Sequence, residues 1–512
     1  MQTHFQPQLL SPAPSARAQT RKTSIVGASL TSGLKALTLA CLGLLFLSLS
    51  PQMLQAQTAK TKGLPSLDKT LSNGMRIVVF EDNRSPTALH MVWIRAGSVD
   101  EIDGKSGIAH VLEHMMFKGT RTLAPGEFSQ KVAALGGREN AFTSREYTGY
   151  FQQVHRDALF EVMALEADRM QNLVINEEEF SKEIKVVMEE RRLRTDDSPQ
   201  GRSFEALMAT AFQAHPIRRP IIGWMNDLEE LTANDARDWY AHWYRPQHAT
   251  MVVVGSVNAQ EVFDKAQTLY GAWASSPTNE DKNAGAKPRE FVEPKQLGPR
   301  TAEVTAPAEN PFFIDAWKAP VLGANDGPLS PENAKARDVV ALSVLASLLD
   351  DPNTGILIES LVRQRQLALG LSVSSDTVSR GPGLFTITGS PRPGRSIQEL
   401  QGAINEVIEE FLGKGVSESQ LERVRRQAKA SQVYQQDSLF SRAMVTGRLA
   451  MTGRPLSDRM AWLVMLDEIK AEDINRVAAS VLRDENRTTI TLKPTDPQAA
   501  VRRGLGTNIL RH

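Results

Sequence analysis

One stretch decides how this chain folds and which chemistry it supports: Ser106-Gly-Ile-Ala-His110-Val-Leu-Glu113-His114-Met-Met-Phe-Lys-Gly119. His110 and His114 are four residues apart, so on a helix their imidazoles lie one above the other and can bind one metal ion. Glu113 is adjacent to His114 and three residues from His110, which places its carboxylate at the edge of the same site. The spacing therefore predicts a metal site with a carboxylate that can take a proton from water.

The residues around this motif favour a helix. We expect Ser106 to cap its N-terminus and Gly119 to end it in a left-handed conformation. Its buried face is predicted to consist of four apolar residues, Ile108, Val111, Leu112 and Met115. The pattern is H-x-x-E-H, the inversion of the H-E-x-x-H found in many zinc peptidases. The alternative is two surface histidines that share a helix by chance, and a third ligand would decide between them.

The third ligand is predicted on a helix that begins after Asn176, the expected N-cap. Glu183 and Glu190 are seven residues apart, so they return to within about 20° of one helix face, whereas Glu189 points about 120° away from Glu183. Catalytic zinc normally has three protein ligands. We therefore predict that Glu190 completes the ligand set. Glu183 is predicted to act in catalysis indirectly, as a hydrogen-bond acceptor that orients a ligand or the water.

These motifs resemble those of the family M16 metallopeptidases, which include pitrilysin, insulin-degrading enzyme and the mitochondrial processing peptidase. In that family the glutamate ligand follows H-x-x-E-H by some 76 residues, and Glu190 lies 76 residues after His114. Glu183 matches the family's second glutamate. The similarity runs from about Leu71 to Thr495. Further motifs that resemble the family's are Trp93-Ile-Arg-Ala-Gly-Ser98, Asp100-Glu101, Phe117-Lys-Gly-Thr120, Gly136-Gly137, Asn140-Ala-Phe-Thr-Ser144, Tyr147-Thr-Gly-Tyr150 and Ile222-Gly-Trp224.

The resemblance implies an α+β fold of two homologous domains, each a mostly antiparallel sheet backed by helices, which together form half of a clamshell chamber. The pattern of strands and helices agrees, because similar elements occur in two successive series. We predict an N-terminal zinc-binding domain at 66–275, a linker at 276–300, a C-terminal domain at 301–496 and a tail at 497–512. The linker prediction rests on a polar run at 275–285.

Individual elements are predicted from apolar patterning and turn residues. In the first half we expect a hairpin turn at Ser72-Asn-Gly74 and strands at 88–95 and 250–255. In the second half, strands are predicted at 311–317, 369–375, 383–389 and 488–493, and helices at 334–349 and 473–482.

The segment Asn140-Ala-Phe-Thr-Ser144 resembles the family's edge strand beside the metal. On such a strand an extended peptide is bound as one more strand, through backbone hydrogen bonds. The resemblance therefore implies that substrate binds at four residues, Asn140, Ala141, Phe142 and Thr143. Backbone pairing does not reveal which peptide sequence is preferred. The alternative is an ordinary strand of the sheet.

Composition excludes some other classes of protein. The chain has 512 residues, of which 41% are hydrophobic and 23% charged, as in a globular protein with room for two or more cores. Its formal net charge is zero. Because there is no basic excess, nucleic acid is not expected as a partner.

The N-terminal segment indicates export. Residues 1–66 contain no Asp or Glu, and a nearly unbroken apolar run at 36–49 ends before Leu54-Gln-Ala56. This pattern predicts a signal peptide at 1–56 and a periplasmic or secreted protein. The alternatives are a mitochondrial transit peptide, which should be amphipathic, and an uncleaved anchor, for which the run is short. The only cysteine, Cys41, lies inside the run and does not match a lipoprotein signal.

One part of the family's apparatus is absent from the second half. Active relatives that resemble this chain hold the substrate with an Arg and, seven residues later, a Tyr. The matching stretch at 362–373 keeps Arg363 and Arg365, but Leu371 occupies the tyrosine position, and Tyr434 is the only tyrosine of the second half. The resemblance thus predicts a homologous partner that supplies the missing pair in a heterodimer. A weakly active homodimer is the alternative.

The predicted function is that of a zinc metallopeptidase that hydrolyses peptides or unfolded protein segments. His110, His114 and Glu190 would bind one Zn²⁺ per chain, and Glu113 would act as the general base. Two other classes are considered: a catalytically silent scaffold of the same family, and a peptide-binding subunit of a heteromeric complex. The intact motif and Glu190 argue against the scaffold. A metal assay would separate the peptide-binding subunit, which would hold no zinc and cleave nothing.

Overall fold

The computed structural model describes residues 64–274 and 291–495, all within one compact unit, Lys60–His512. The predicted signal peptide, Cys41, the polar run of the linker and the tail lie outside the described residues. Within the described ranges, no helix is long and apolar enough to cross a membrane.

The first half is built on a six-stranded sheet. Its strands are β1 (Leu67–Thr70), β2 (Arg76–Glu81), β3 (Thr87–Ile94), β4 (Arg138–Thr143), β5 (Thr148–His155) and β6 (Ala249–Gly255). They lie in the order β1-β2-β6-β3-β5-β4, with β2 and β6 parallel and the other described neighbours antiparallel. The predicted turn at Ser72-Asn-Gly74 is confirmed, since it joins β1 to its antiparallel neighbour β2.

The second half contains a five-stranded sheet with the same arrangement. Its strands are β7 (Arg300–Ala306), β8 (Phe312–Ala319), β9 (Ala368–Ser375), β10 (Gly383–Pro391) and β11 (Arg487–Pro494). The order β7-β11-β8-β10-β9 repeats β2-β6-β3-β5-β4, and the first pair is parallel in both sheets. The predicted α+β fold of two similar, mostly antiparallel halves is therefore confirmed. Strand β7 was not predicted from the sequence, because its alternation of exposed and half-buried residues carries little apolar signal.

Helices cover both sheets. In the first half they are α1 (Ile108–Met115), α2 (Glu127–Ala134), α3 (Leu159–Asn172), α4 (Glu177–Arg191), α5 (Pro199–Ala211), α6 (Met225–Glu230), α7 (Ala233–Trp243) and α8 (Ala259–Tyr270). In the second half they are α9 (Ala334–Asp350), α10 (Ile397–Lys414), α11 (Glu418–Asp437), α12 (Leu439–Met451), α13 (Asp458–Glu468) and α14 (Ala471–Val481). The predicted helices at 334–349 and 473–482 correspond to α9 and α14.

Each half contributes one helix that packs against the sheet of the other half. Helix α12 of the second half buries Ala443 and Met451 against the first sheet, on the face that carries Trp93 of β3 and lies opposite α1. A Cβ at Gly447 would lie 1.9 Å from the Trp93 ring, so only glycine permits this approach. Helix α5 of the first half packs in turn against Ile314 of β8 and its neighbours in the second sheet. Each half therefore covers one face of the other half's sheet.

Polar contacts also join the halves beside strand β4. The backbone N–H of Arg380, in the loop between β9 and β10, donates to Glu146 over 2.6 Å, and the Arg380 guanidinium lies 2.5 Å from Asp100. The end of the predicted linker is similarly attached, because Glu293 accepts hydrogen bonds from backbone N–H groups at 213–215. The second half thus holds the turn that follows β4.

Candidate metal and catalytic site

Helix α1 begins at a buried carboxylate. The side chain of Glu101 accepts hydrogen bonds from the backbone N–H groups of Gly107 (2.9 Å) and Ala109 (3.0 Å). The prediction that Ser106 caps this helix is wrong, because its N–H and hydroxyl donate to Asp227 instead. The two oxygens of one carboxyl group satisfy two N–H groups of the first turn, which a single hydroxyl does less well. Burial raises the pKa of Glu101 to about 8, although these two hydrogen bonds oppose the rise.

A close approach of two glycines fixes where α1 starts. Gly107 has φ +89° and Gly223 has φ +88°. A Cβ on Gly107 would lie 2.6 Å from the Ile222 carbonyl oxygen, and one on Gly223 would lie 2.5 Å from that of Ser106. The motif Ile222-Gly-Trp224 therefore packs directly against the start of α1. Gly119 is left-handed as predicted, at φ +104°, although α1 itself ends at Met115.

Three potential metal ligands converge between α1 and α4. Nε2 of His114 lies 3.2 Å from Oε2 of Glu190, and Nε2 of His110 lies 3.8 Å from the same oxygen. One ligand atom from each of the three residues lies within 4.8 Å of the others. Glu189 instead projects outward and pairs with Arg192, as its position on the helix predicted. Two imidazole nitrogens and one carboxylate oxygen are a donor set of catalytic zinc sites, so these residues fit Zn²⁺.

Glu183 links this cluster to a lysine that the sequence did not single out. Nδ1 of His114 lies 2.8 Å from Oε1 of Glu183, and the Lys118 ammonium lies 2.5 Å from Oε2. Because Nδ1–H donates to Glu183, the ring turns its Nε2 toward Glu190 and His110. Helix α4 is capped by Asn176, as predicted, which accepts a hydrogen bond from the Glu179 N–H. Glu183 therefore lies on the helix face that the spacing predicts, and one hydrogen bond connects it to His114 of the donor cluster.

The charged groups at the site shift the pKa values of Glu190 and His114. Burial raises the pKa of Glu190, but His114, His110 and Arg194 outweigh burial and lower it to about 2. Burial lowers the pKa of His114, yet its hydrogen bonds with Glu183 and Glu190 raise it to about 9. Glu183, whose pKa is lowered although burial opposes this, and Glu190 thus stabilise a proton on His114 while they also pair with Lys118 and Arg194. A bound metal ion would replace that proton.

Glu113 is buried and lies on α1, between His110 and His114. Its Oε2 accepts a hydrogen bond from the Thr143 hydroxyl over 2.6 Å. Burial raises the pKa of Glu113, and this bond opposes the rise. A buried carboxylate with a raised pKa is a stronger base than an exposed one, which suits proton transfer. Thr143 was predicted only as part of a peptide-binding strand, so its contact with Glu113 was missed.

Strand β4 is the edge strand of the first sheet, as predicted. Its side chains alternate between two faces. Thr143 and the buried Ala141 lie on the α1 side, whereas Phe142 packs edge-on against Trp93 and Tyr147 on the opposite face. Asn140 accepts a hydrogen bond from the Ala141 N–H. The side chains of Phe142 and Thr143 therefore contact other residues of the protein, and among the described strands only β5 pairs with β4.

The second half shows where the missing tyrosine would be. Leu371 is a buried residue of β9, the edge strand that corresponds to β4. Arg363 pairs with Glu359, and Arg365 pairs with Glu406. Tyr434 lies on α11 with 75% of its surface exposed. The described part of the second half therefore does not bring an Arg and a Tyr together on β9.

The paired sheets and the donor cluster define a class, a two-domain metallopeptidase fold with the metal motif in the first half. Residues 76–224 match the family model "Insulinase (Peptidase family M16)", and residues 230–428 match "Peptidase M16 inactive domain". The zinc protease PqqE of Helicobacter pylori is 32% identical over 429 residues, which cover 83% of this chain and 92% of that protein. This chain belongs to peptidase family M16.

Other similar proteins agree with this assignment. A probable mitochondrial-processing peptidase subunit beta of Arabidopsis thaliana is 26% identical, over 83% of this chain and 78% of that protein. The crystal structure of a protease from Helicobacter pylori has a TM-score of 0.77 and 29% identity, and it covers 84% of this chain and 100% of the solved one. The resemblance to family M16 drawn from the motifs is thus confirmed.

Metal content should distinguish the three glutamates of α4. Glu190→Gln should lose zinc, because an amide oxygen is a weaker ligand than a carboxylate. Glu183→Gln should weaken zinc binding about 10- to 100-fold without abolishing it. Glu189→Gln is the matched control and should retain one zinc per chain. Elemental analysis of the purified variants measures this, and a zinc-free Glu189 variant beside a zinc-loaded Glu190 variant would contradict the assignment.

Proposed function

We propose that this chain is a zinc-dependent peptidase in which His110, His114 and Glu190 bind one Zn²⁺. The observation that carries the proposal is the convergence of these three donors beside a buried Glu113. Family membership supports it, since the relative at 32% identity is named a zinc protease. The two alternatives, a silent scaffold and a peptide-binding subunit, have no need of a ligand set, and the intact donor cluster argues against both.

The zinc ion would supply Lewis acidity toward a carbonyl group and a water molecule. Glu113 accepts a proton from the attacking water and passes it to the nitrogen of the leaving amine. The water oxygen bonds to the carbonyl carbon and the C–N bond breaks, which leaves a carboxylate and an amine. Glu183 holds His114 through Nδ1 during the reaction.

The substrates that we propose are peptides or unfolded segments in extended conformation. Among the strands that the structure describes, β4 has one neighbour, β5, so its other edge can pair with a peptide backbone. This edge lies beside Glu113, because Thr143 of β4 contacts that residue. A peptide on the edge would therefore pass the base. The predicted signal peptide at 1–56 supports action in the periplasm or outside the cell.

A second chain is proposed to complete the site. Leu371 on β9 has no hydroxyl with which to stabilise a developing oxyanion. A homologous partner with the Arg and Tyr on its corresponding strand would supply that function in a heterodimer that encloses a chamber. A homodimer would lack the hydroxyl and remain weakly active.

Replacement of the base tests the proposed chemistry. Glu113→Gln should retain zinc but lose about 10²- to 10⁴-fold in kcat, because the amide cannot accept a proton. Glu189→Gln, an exposed change on the neighbouring helix, is the control. Zinc content and hydrolysis of a peptide mixture, followed by mass spectrometry, measure both effects. Near-normal activity in the Glu113 variant would refute its role.

Reconstitution tests the partner. The isolated chain with saturating zinc should hydrolyse peptides slowly, and adding the homologous partner should raise kcat about 100-fold, the typical contribution of an oxyanion donor. A partner in which that Tyr is changed to Phe is the control and should restore little activity. Full activity from the isolated chain, unchanged by any partner, would contradict the proposal.

A further inference from the structure

Thr143 occupies an unusual position, because it belongs to the edge strand and contacts the buried base. Its hydroxyl donates to Oε2 of Glu113 over 2.6 Å. A carboxylate at the end of a side chain rotates easily, since its last torsion has broad energy wells. A donated hydrogen bond to one oxygen fixes this rotation and therefore the direction in which the other oxygen points.

The hydroxyl is itself held firmly by the backbone. Thr143 is β-branched, so its χ1 is restricted. It pairs with Thr148 of β5, and the next residue, Ser144, receives a hydrogen bond on its carbonyl from the Ser98 N–H. Glu146, in the same turn, accepts hydrogen bonds from the β9–β10 loop at Ser379 and Arg380. The strand, the turn and the second half together determine where the hydroxyl lies.

We infer that Thr143 is a positioning residue for Glu113, so that the strand proposed to bind a peptide also aligns the base. This inference rests on the proposed peptidase function. A peptide bound at the edge contacts the backbone of β4, whereas the Thr143 side chain lies on the α1 face. The hydroxyl can therefore stay bonded to Glu113 while a peptide occupies the edge, and it holds the carboxylate toward the reacting water.

Isosteric replacement separates this role from substrate binding. Thr143→Val removes the donor but keeps the shape, and we expect kcat to fall about 10- to 100-fold with KM changed less than about twofold. Thr143→Ser keeps the hydroxyl and should restore kcat to within about threefold of the wild type. Thr148→Val is the control, because its hydroxyl lies in the same hairpin but donates to the Ala96 carbonyl. It should leave kcat near the wild-type value.

Zinc content and thermal stability are measured on every variant. A wild-type kcat in Thr143→Val, a change in KM alone, or equal losses of kcat in the Thr143→Val and Thr148→Val variants would overturn the inference. Loss of zinc from Thr143→Val would also overturn it, since the role would then be structural. If Thr143→Val does not fold, Thr143→Ala replaces it under the same criteria. A wild type that stays inactive with the partner present, or an active Glu113→Gln variant, would instead refute the proposed function.

Discussion

The site depends on a helix that carries two imidazoles and a carboxylate into the core. Burying polar groups is costly unless each has a partner. Here Glu101 satisfies the first N–H groups of α1, Glu183 receives Nδ1–H of His114, and Thr143 donates to Glu113. Each hydrogen bond also fixes the orientation of the group that it contacts. The contacts that allow the helix to be buried therefore also orient its two imidazoles and its carboxylate.

The second half supports the site, and its described residues contribute none of the three potential metal ligands. Helix α12 covers the Trp93 face of the first sheet, and the β9–β10 loop forms hydrogen bonds with the turn after β4. Removal of these contacts would expose the Trp93 face and loosen the strand beside the base. A repeat whose own edge strand carries Leu371 thus still supports the geometry of the candidate site in the first half.

The sequence predicted the parts of the site that follow from helical spacing. The shared face of His110 and His114 follows from the local periodicity of α1. The shared face of Glu183 and Glu190, and the outward position of Glu189, follow from that of α4. The cap at Glu101, the ammonium of Lys118 and the hydroxyl of Thr143 depend on how separate segments pack. No local pattern encodes these distances, and the short polar side chain of Ser106 resembled a cap more closely than Glu101 did. The repeated strand order was predicted in outline, but strand β7 lacked an apolar pattern.

The proposed zinc site at His110, His114 and Glu190 can be observed in a crystal of the full chain grown with zinc and measured above and below the zinc absorption edge. We expect one anomalous peak per chain, bonded to Nε2 of both histidines and to the carboxylate of Glu190, with Glu113 adjacent but not bonded. A zinc peak that leaves Glu190 unbonded, or no peak between the two histidines, would contradict the proposal.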